Sequence, residues 1–180
     1  MRLSPRICID SDRDRLIHVP DPRLDLSLSP INIPERFKKV LYDNNRYPGA
    51  PGVQGVARGA NCQQYAYELV RAFGFAIPDF RSSDLWADNA HTQFSKRPKR
   101  FDLVLVHNVP DPWGAHVGVY VGNDLVLHLS KKIGSPAIES IQSIMRRAQY
   151  RYLLGFKRIL MRQQQTLKPF AVLSESPGSR

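Results

Sequence analysis

Asn61-Cys62-Gln63-Gln64-Tyr65-Ala66-Tyr67-Glu68-Leu69-Val70-Arg71-Ala72-Phe73-Gly74 reads as one helix with both ends marked. Cys62, Tyr65, Ala66, Leu69, Val70 and Phe73 recur at helical spacing and form one apolar face. Asn61 is a strong N-cap, and Gln64 three residues later completes the pattern of a capping box. Gly74 supplies the C-terminal stop. Cys62 is then the first helical residue, where backbone N–H groups lack intrahelical partners. A thiol there is expected to have a lowered pKa, because the helix N-terminus favours the thiolate. The same N–H groups can donate to an oxyanion.

A cysteine nucleophile also needs an imidazole to take its proton and a polar group to orient that imidazole. Two histidines fall on a predicted hairpin, whose strands Val117-to-Val121 and Leu125-to-Leu129 are separated by Gly122-Asn123-Asp124. With a three-residue loop, Val121 pairs with Leu125 and Gly118 lies opposite His128. His116 then shares that face one diagonal step away, roughly 7–8 Å between Cα atoms. Gly118 leaves room between the two rings. A two-residue Asn123-Asp124 loop would turn His128 to the other face. A Cys62–His116–His128 site therefore predicts a loop of odd length.

The rest of the chain fits a single α+β domain. Its 180 residues, 42% of them hydrophobic, suffice for one core. Pro34 opens a predicted short helix through Leu41, with Phe37, Val40 and Leu41 on one face. Residues 46–60 read as loop, residues 81–100 as loop or short helix, and Phe101-to-His107 as a strand. Ser140-to-Gln149 reads as a helix and Tyr152-to-Leu160 as a closing strand. Residues 1–33, punctuated by Pro5, Pro20, Pro22 and Pro30, read as an irregular arm. The boundaries are residues 1–44 for arm and short helix, 45–160 for the domain, and 161–180 for a polar tail.

The net charge of +10 and pI of about 9.9 favour anionic partners such as nucleic acid, membrane surface or bacterial cell wall. The cations are scattered, as Arg36 with Lys38-Lys39, Lys96-to-Arg100, Lys131-Lys132 and Arg146-Arg147, and read as solvated surface. No interleaved aromatic-basic motif is present, so no stable nucleic-acid partner is expected. No stretch reaches membrane-span length, so no membrane partner is expected either. Two cysteines, Cys8 and Cys62, imply no disulfide framework. Met1-to-Cys8 holds no apolar signal core, which gives a cytoplasmic protein as encoded, with export only by a non-Sec route. One thiolate and two imidazoles are acceptable zinc ligands, but the close paired spacing and a fourth ligand are missing, so no metal is expected. His18, His91 and His107 read as structural or surface, and Asp102 as a turn or cap acceptor.

Four pieces in order, Asn61-Cys62-Gln63-Gln64-Tyr65, Phe101-Asp102-Leu103-Val104-Leu105, His116-Val117-Gly118-Val119-Tyr120-Val121-Gly122 and Leu127-His128, resemble the NlpC-type cell-wall peptidases. These are a branch of the papain-like cysteine peptidases, and the resemblance covers roughly residues 45–160. It implies N-terminal helices packed on a central antiparallel sheet, no cofactor, and a murein-derived peptide as substrate, typically cut after γ-linked D-glutamate. Carried over, Cys62 is the nucleophile, His116 the general base and then acid, and His128 the orienting residue. Tyr47 is the tyrosine implied to line the site. Gln63 and Gln64 stand where the family usually has Ser-Gly, and would narrow the space beside the nucleophile and contact substrate. The same triad would serve an acyltransferase, deamidase or isopeptidase acting on another protein. The reading from another class is a non-catalytic basic binding module on the same fold.

Overall fold

Near-continuous apolar runs after position 100 build most of the sheet on which the rest packs. The computed structural model describes residues 26–162; Cys8, His18, most of the predicted arm and the polar tail from residue 163 lie outside that range. In chain order the elements are α1 (Cys62–Ala72), β1 (Phe75–Ala76), α2 (Ser82–Ala87), β2 (Thr92–Phe94) and β3 (Leu103–His107). They continue as β4 (His116–Gly122), β5 (Leu125–Leu129), β6 (Pro136–Ser140), α3 (Ile141–Met145), β7 (Tyr152–Ile159) and β8 (Met161–Arg162). Six strands form an antiparallel sheet in the order β2-β7-β3-β4-β5-β6, and β1 pairs with β8 in a small ribbon.

Strand alternation gives the sheet two buried faces. On one, Tyr65, Ala66, Leu69 and Val70 of α1 pack on Leu103, Leu105, Val117, Val119, Leu127 and Ile138. On the other, Val104, Val106, Tyr120 and Val126 pack under Ile144 of α3 and Tyr150 of a following 3-10 turn. Burying side chains of this size contributes about 1.5–3 kcal/mol each. The same parity sets His116, Gly118, His128 and Glu139 on the second face, away from α1.

α1 forms as its sequence predicts. Asn61 Oδ1 accepts from the Gln64 backbone N–H at 2.8 Å, and Gly74 takes a φ of 83° just past the end. The reciprocal half of the capping box is absent. The Asn61 N–H donates instead to Arg46 O at 2.8 Å, and the Gln64 amide to Gly55 O at 3.3 Å.

Four expectations are corrected. The helix expected from Pro34 to Leu41 is a single 3-10 turn, Glu35–Phe37. Leu41 and Tyr42 run extended beside Ala60, with Ala60 N–H donating to Leu41 O at 3.1 Å and Asp43 N–H to Ala60 O at 2.9 Å. Phe37 and Val40 are buried, but Leu41 is 70% exposed. Ile31 and Ile33 also join the main core, so the chain is integral to the fold from there on. Residues 81–100 hold a short helix, α2, as one of the two readings had it, and also a strand, β2, that neither included. Ser140-to-Gln149 is not one helix: Pro136–Ser140 is an unpredicted strand, Ser140 caps α3, and a 3-10 turn Ala148–Tyr150 follows.

The hairpin is the fourth correction. Its loop is the two-residue Asn123-Asp124, both with positive φ (52° and 57°), and Gly122 pairs with Leu125. Val121 is an extra residue between the Gly122–Leu125 and Tyr120–Val126 pairs, a β-bulge. The bulge restores the parity that the short loop would have reversed. Val119 pairs with Leu127, which places Gly118 beside His128.

Candidate active site

Two elements, α1 and β4, meet at Cys62. It opens α1 and is half-buried where the start of β4 passes the helix N-terminus. Burial pushes the Cys62 thiol up from its ordinary value. The backbone N–H groups of Val117, Gln63 and Cys62 itself, with the Arg81 guanidinium, act in the opposite direction and do not outweigh it. The expected lowering of the thiol by the helix end is therefore reversed, because the sulfur is desolvated against the sheet.

His116 begins β4 and is buried. Its ring stacks on Tyr150, with centroids 4.6 Å apart and planes 27° from parallel. Burial first, then the neighbouring His128 and Arg147, holds the imidazole well below its usual value near 6.5. His116 Nε2 lies 2.8 Å from His128 Nδ1, and His128 Nε2 lies 2.8 Å from Glu139 Oε2. The second oxygen of Glu139 accepts from Arg147 Nη2. His128 and Glu139 are both fully buried. Burial alone would raise the Glu139 carboxyl, but hydrogen bonds and charge from His128 and Arg147 outweigh it and bring it down to about 2. The line His116–His128–Glu139 crosses three neighbouring strands on one face, and Arg147 closes it from the segment after α3.

Two clefts flank Cys62. One, of about 400 Å³, is walled by Asn61, Cys62, Gln63, Arg81, Ser83 and Trp113. The other, of about 640 Å³, is walled by Cys62, His107, His116, Lys131, Lys132 and Tyr150. Tyr42 and Gly114 line both. Cys62 and His116 thus share one cleft, with His128 behind His116 and out of solvent.

The substrate-contact residues implied by the resemblance separate. Gln63 is on the cleft wall. Gln64 turns inward to Gly55 O and Glu68 and lines neither cleft. Tyr47 also lines neither; its ring lies 4.3 Å below the Arg81 guanidinium. The tyrosines on the walls are Tyr42, which lines both clefts, and Tyr150, which lines one. The Lys131-Lys132 pair, expected as solvated surface, borders the cleft. Asp102 accepts from the Lys99 N–H at 2.8 Å and pairs with Arg158, the turn role its sequence suggested.

Sequence reasoning missed Glu139, Arg147 and Tyr150. The alternation in Pro136-Ala137-Ile138-Glu139-Ser140 was the available signal, since it puts Glu139 on the face of Ala137 and opposite that of Ile138. Both ring nitrogens of His128 are occupied, so it has none to offer a metal. Among the described residues no group of three or more His, Cys, Asp or Glu is placed to hold a metal ion. Among the described residues no helix is long and apolar enough to cross a membrane.

A helix-borne cysteine set against a sheet-borne histidine is the layout of the papain-like fold. The chain belongs to the NlpC/P60 family, whose profile matches residues 49–156. The family is generally one of hydrolases and peptidases. Among solved structures, the chain is similar to the P60 domain of an antigen of M. avium subspecies paratuberculosis, at 20% identity over 70% of this chain and 85% of that one, TM-score 0.41. It is also similar to the peptidoglycan hydrolase RipB from Mycobacterium tuberculosis, at 22% identity over 73% of this chain, TM-score 0.41. That match spans 59% of the RipB chain. No curated protein matches the chain.

Proposed function

We propose that this protein is a cysteine hydrolase that cleaves an amide bond in a murein-derived peptide, with Cys62, His116 and His128 as its triad. The observation that carries the reading is the hydrogen-bonded line ending at His116, in the cleft that Cys62 also lines. Family membership supports the cell wall as the source of the substrate. The cations at the clefts, Arg81 on one side of Cys62 and Lys131 with Lys132 on the other, suit a peptide rich in free carboxylates.

In the resting site both partners are neutral, since the thiol is pushed up and the imidazole down. As Sγ of Cys62 attacks the amide carbon, its proton passes to His116 Nδ1. The oxyanion accepts from the Cys62 backbone N–H. His116 then gives the proton to the leaving nitrogen, and the amine departs from a thioester. Water attacks the thioester with His116 as base, releasing the carboxylic acid and restoring the thiol. His128 accepts from His116 Nε2–H and keeps Nδ1 aimed at the thiol.

The test is release of new amino groups from purified murein peptides containing γ-linked D-glutamate. Wild type is expected to turn them over. Cys62→Ala should lose at least about 10³-fold in kcat while keeping its melting temperature. Wild type that cleaves none of them, with Cys62 inert to iodoacetamide, would overturn the reading.

A further inference from the structure

We propose that Glu139, anchored by Arg147, is a positioning residue that sets the tautomers of both histidines; this rests on His116 serving Cys62. A carboxylate offers only acceptors. With His128 Nε2 at 2.8 Å from Glu139 Oε2, the proton at that contact belongs to Nε2. When His128 carries a single proton, that proton sits on Nε2 and its Nδ1 is bare, so it accepts from His116 Nε2–H across 2.8 Å. His116, in turn, is left with a bare Nδ1. Among the described residues that atom has no hydrogen-bond partner, and its ring faces the cleft Cys62 shares. One buried carboxylate therefore decides, two rings away, which nitrogen can take the thiol proton.

Arg147 makes that decision stable. Its Nη2 holds Glu139 Oε1, so the carboxylate cannot rotate away from His128. Glu139 is fully buried and pairs in register with Val126, and apolar side chains filling the place of a buried ion pair are often neutral or better for folding. The same carboxylate also faces the positive charge that reaches His116 when it takes the proton.

The experiment reads ¹⁵N shifts of labelled histidines in the whole protein at neutral pH, with the iodoacetamide rate at Cys62 and kcat on murein peptide beside them. Wild type should show the Nε2–H form at both His116 and His128. Glu139→Gln can present its NH2 to His128, which favours the opposite tautomer there and a protonated Nδ1 at His116. That variant should lose about 10²-fold or more in kcat with KM little changed, as when a carboxylate behind a catalytic histidine becomes an amide. Its Cys62 should alkylate more slowly, and Glu139→Asp should restore the wild-type tautomers. A folded Glu139→Gln protein with unchanged tautomers and rates overturns the proposal. If that variant does not fold, Nδ1–H on either histidine of wild type overturns it. A wild type that cleaves no murein peptide but shows these tautomers, exchanged in Glu139→Gln, supports the proposal while the proposed substrate fails.

Discussion

Lys157 and His128 are both fully buried polar side chains on the same sheet, and their hydrogen bonds run to different ends. The Lys157 ammonium donates to Trp86 O at 3.1 Å and Asp88 O at 2.5 Å, over the face of Phe94. The Asp88 carboxylate accepts from the Thr92 N–H and hydroxyl, both at 2.7 Å, and from the His91 N–H at 3.1 Å. Two donors of Lys157 and the acceptors of Asp88 are paired there, and the result is a knot that fastens α2 and β2 to β7. The histidine line is open. Each member is hydrogen-bonded to the next, and among the described residues the last nitrogen, His116 Nδ1, is left without a partner, in a ring lining the cleft that Cys62 also lines. Burial of polar groups is common to both; the unfilled end is what the proposed chemistry uses.

Removing Lys157 is the strongest way to break this comparison. Lys157→Ala takes the ammonium donor from two part-buried carbonyls, at about 1–2 kcal/mol each, and leaves a cavity where a fully buried side chain stood. A loss of about 4 kcal/mol in urea unfolding is expected. The Cys62 alkylation rate of the folded fraction should stay at the wild-type value, because the knot does not touch the line. A variant with intact stability and altered thiol reactivity would show the two networks to be one.

Gly118→Ala strikes the line instead. A Cβ there would sit 2.5 Å from Val126 Cγ1 and 3.1 Å from His128 Cβ. Val126 is β-branched and cannot swing aside, so about 1–3 kcal/mol is lost and His128 is pushed off its partners. Stability and turnover should fall together, in contrast to Lys157→Ala.

Acid reads both networks at once. Folding lowers Asp88 from 3.8 to about 2 and Glu139 from 4.5 to about 2. For Asp88, burial is overcome by hydrogen bonds from His91 and Thr92; for Glu139, by those from His128 and Arg147. Both folded values lie below the unfolded ones, so each group's contribution is complete above the unfolded pKa and disappears as pH falls through about 2. Each contributes on the order of 2 kcal/mol. Unfolding free energy measured from pH 5 down should drop with a slope that Asp88→Asn and Glu139→Gln each reduce.

What was legible in the sequence was local. The cap, apolar face and stop of α1 lie within fourteen residues, Asn61 to Gly74, and periodicity finds them. The order Cys62, His116, His128 was likewise visible, and the structure brings the three into one region. Glu139 was hidden because β6 is short and begins with Pro136, a residue that argues against a strand except at an edge such as this one. Arg147 sits in an Arg-Arg pair that resembles any solvated charge run. The direction of the Cys62 shift was illegible for a different reason. A helix end is written in sequence, but the sheet that strips water from the sulfur comes from residues more than fifty positions away.

The hairpin carries the smallest expected effect. Asn123 and Asp124 both hold a left-handed φ, which glycine adopts without strain. The Asp124 contacts that matter are backbone ones, its N–H to the Tyr120 hydroxyl at 3.2 Å and its carbonyl to the Ile141 N–H at 2.9 Å. Asp124→Gly keeps both and relieves the strained φ, though it also loosens the unfolded chain, so a gain of about 0.5 kcal/mol is expected. The side of the sheet that His128 faces is set by the Val121 bulge, not by which residue occupies the turn. Calorimetry should therefore show a slightly higher melting temperature with unchanged histidine ¹⁵N shifts. If the shifts change as well, the turn itself, rather than the bulge, governs the register that keeps the line open.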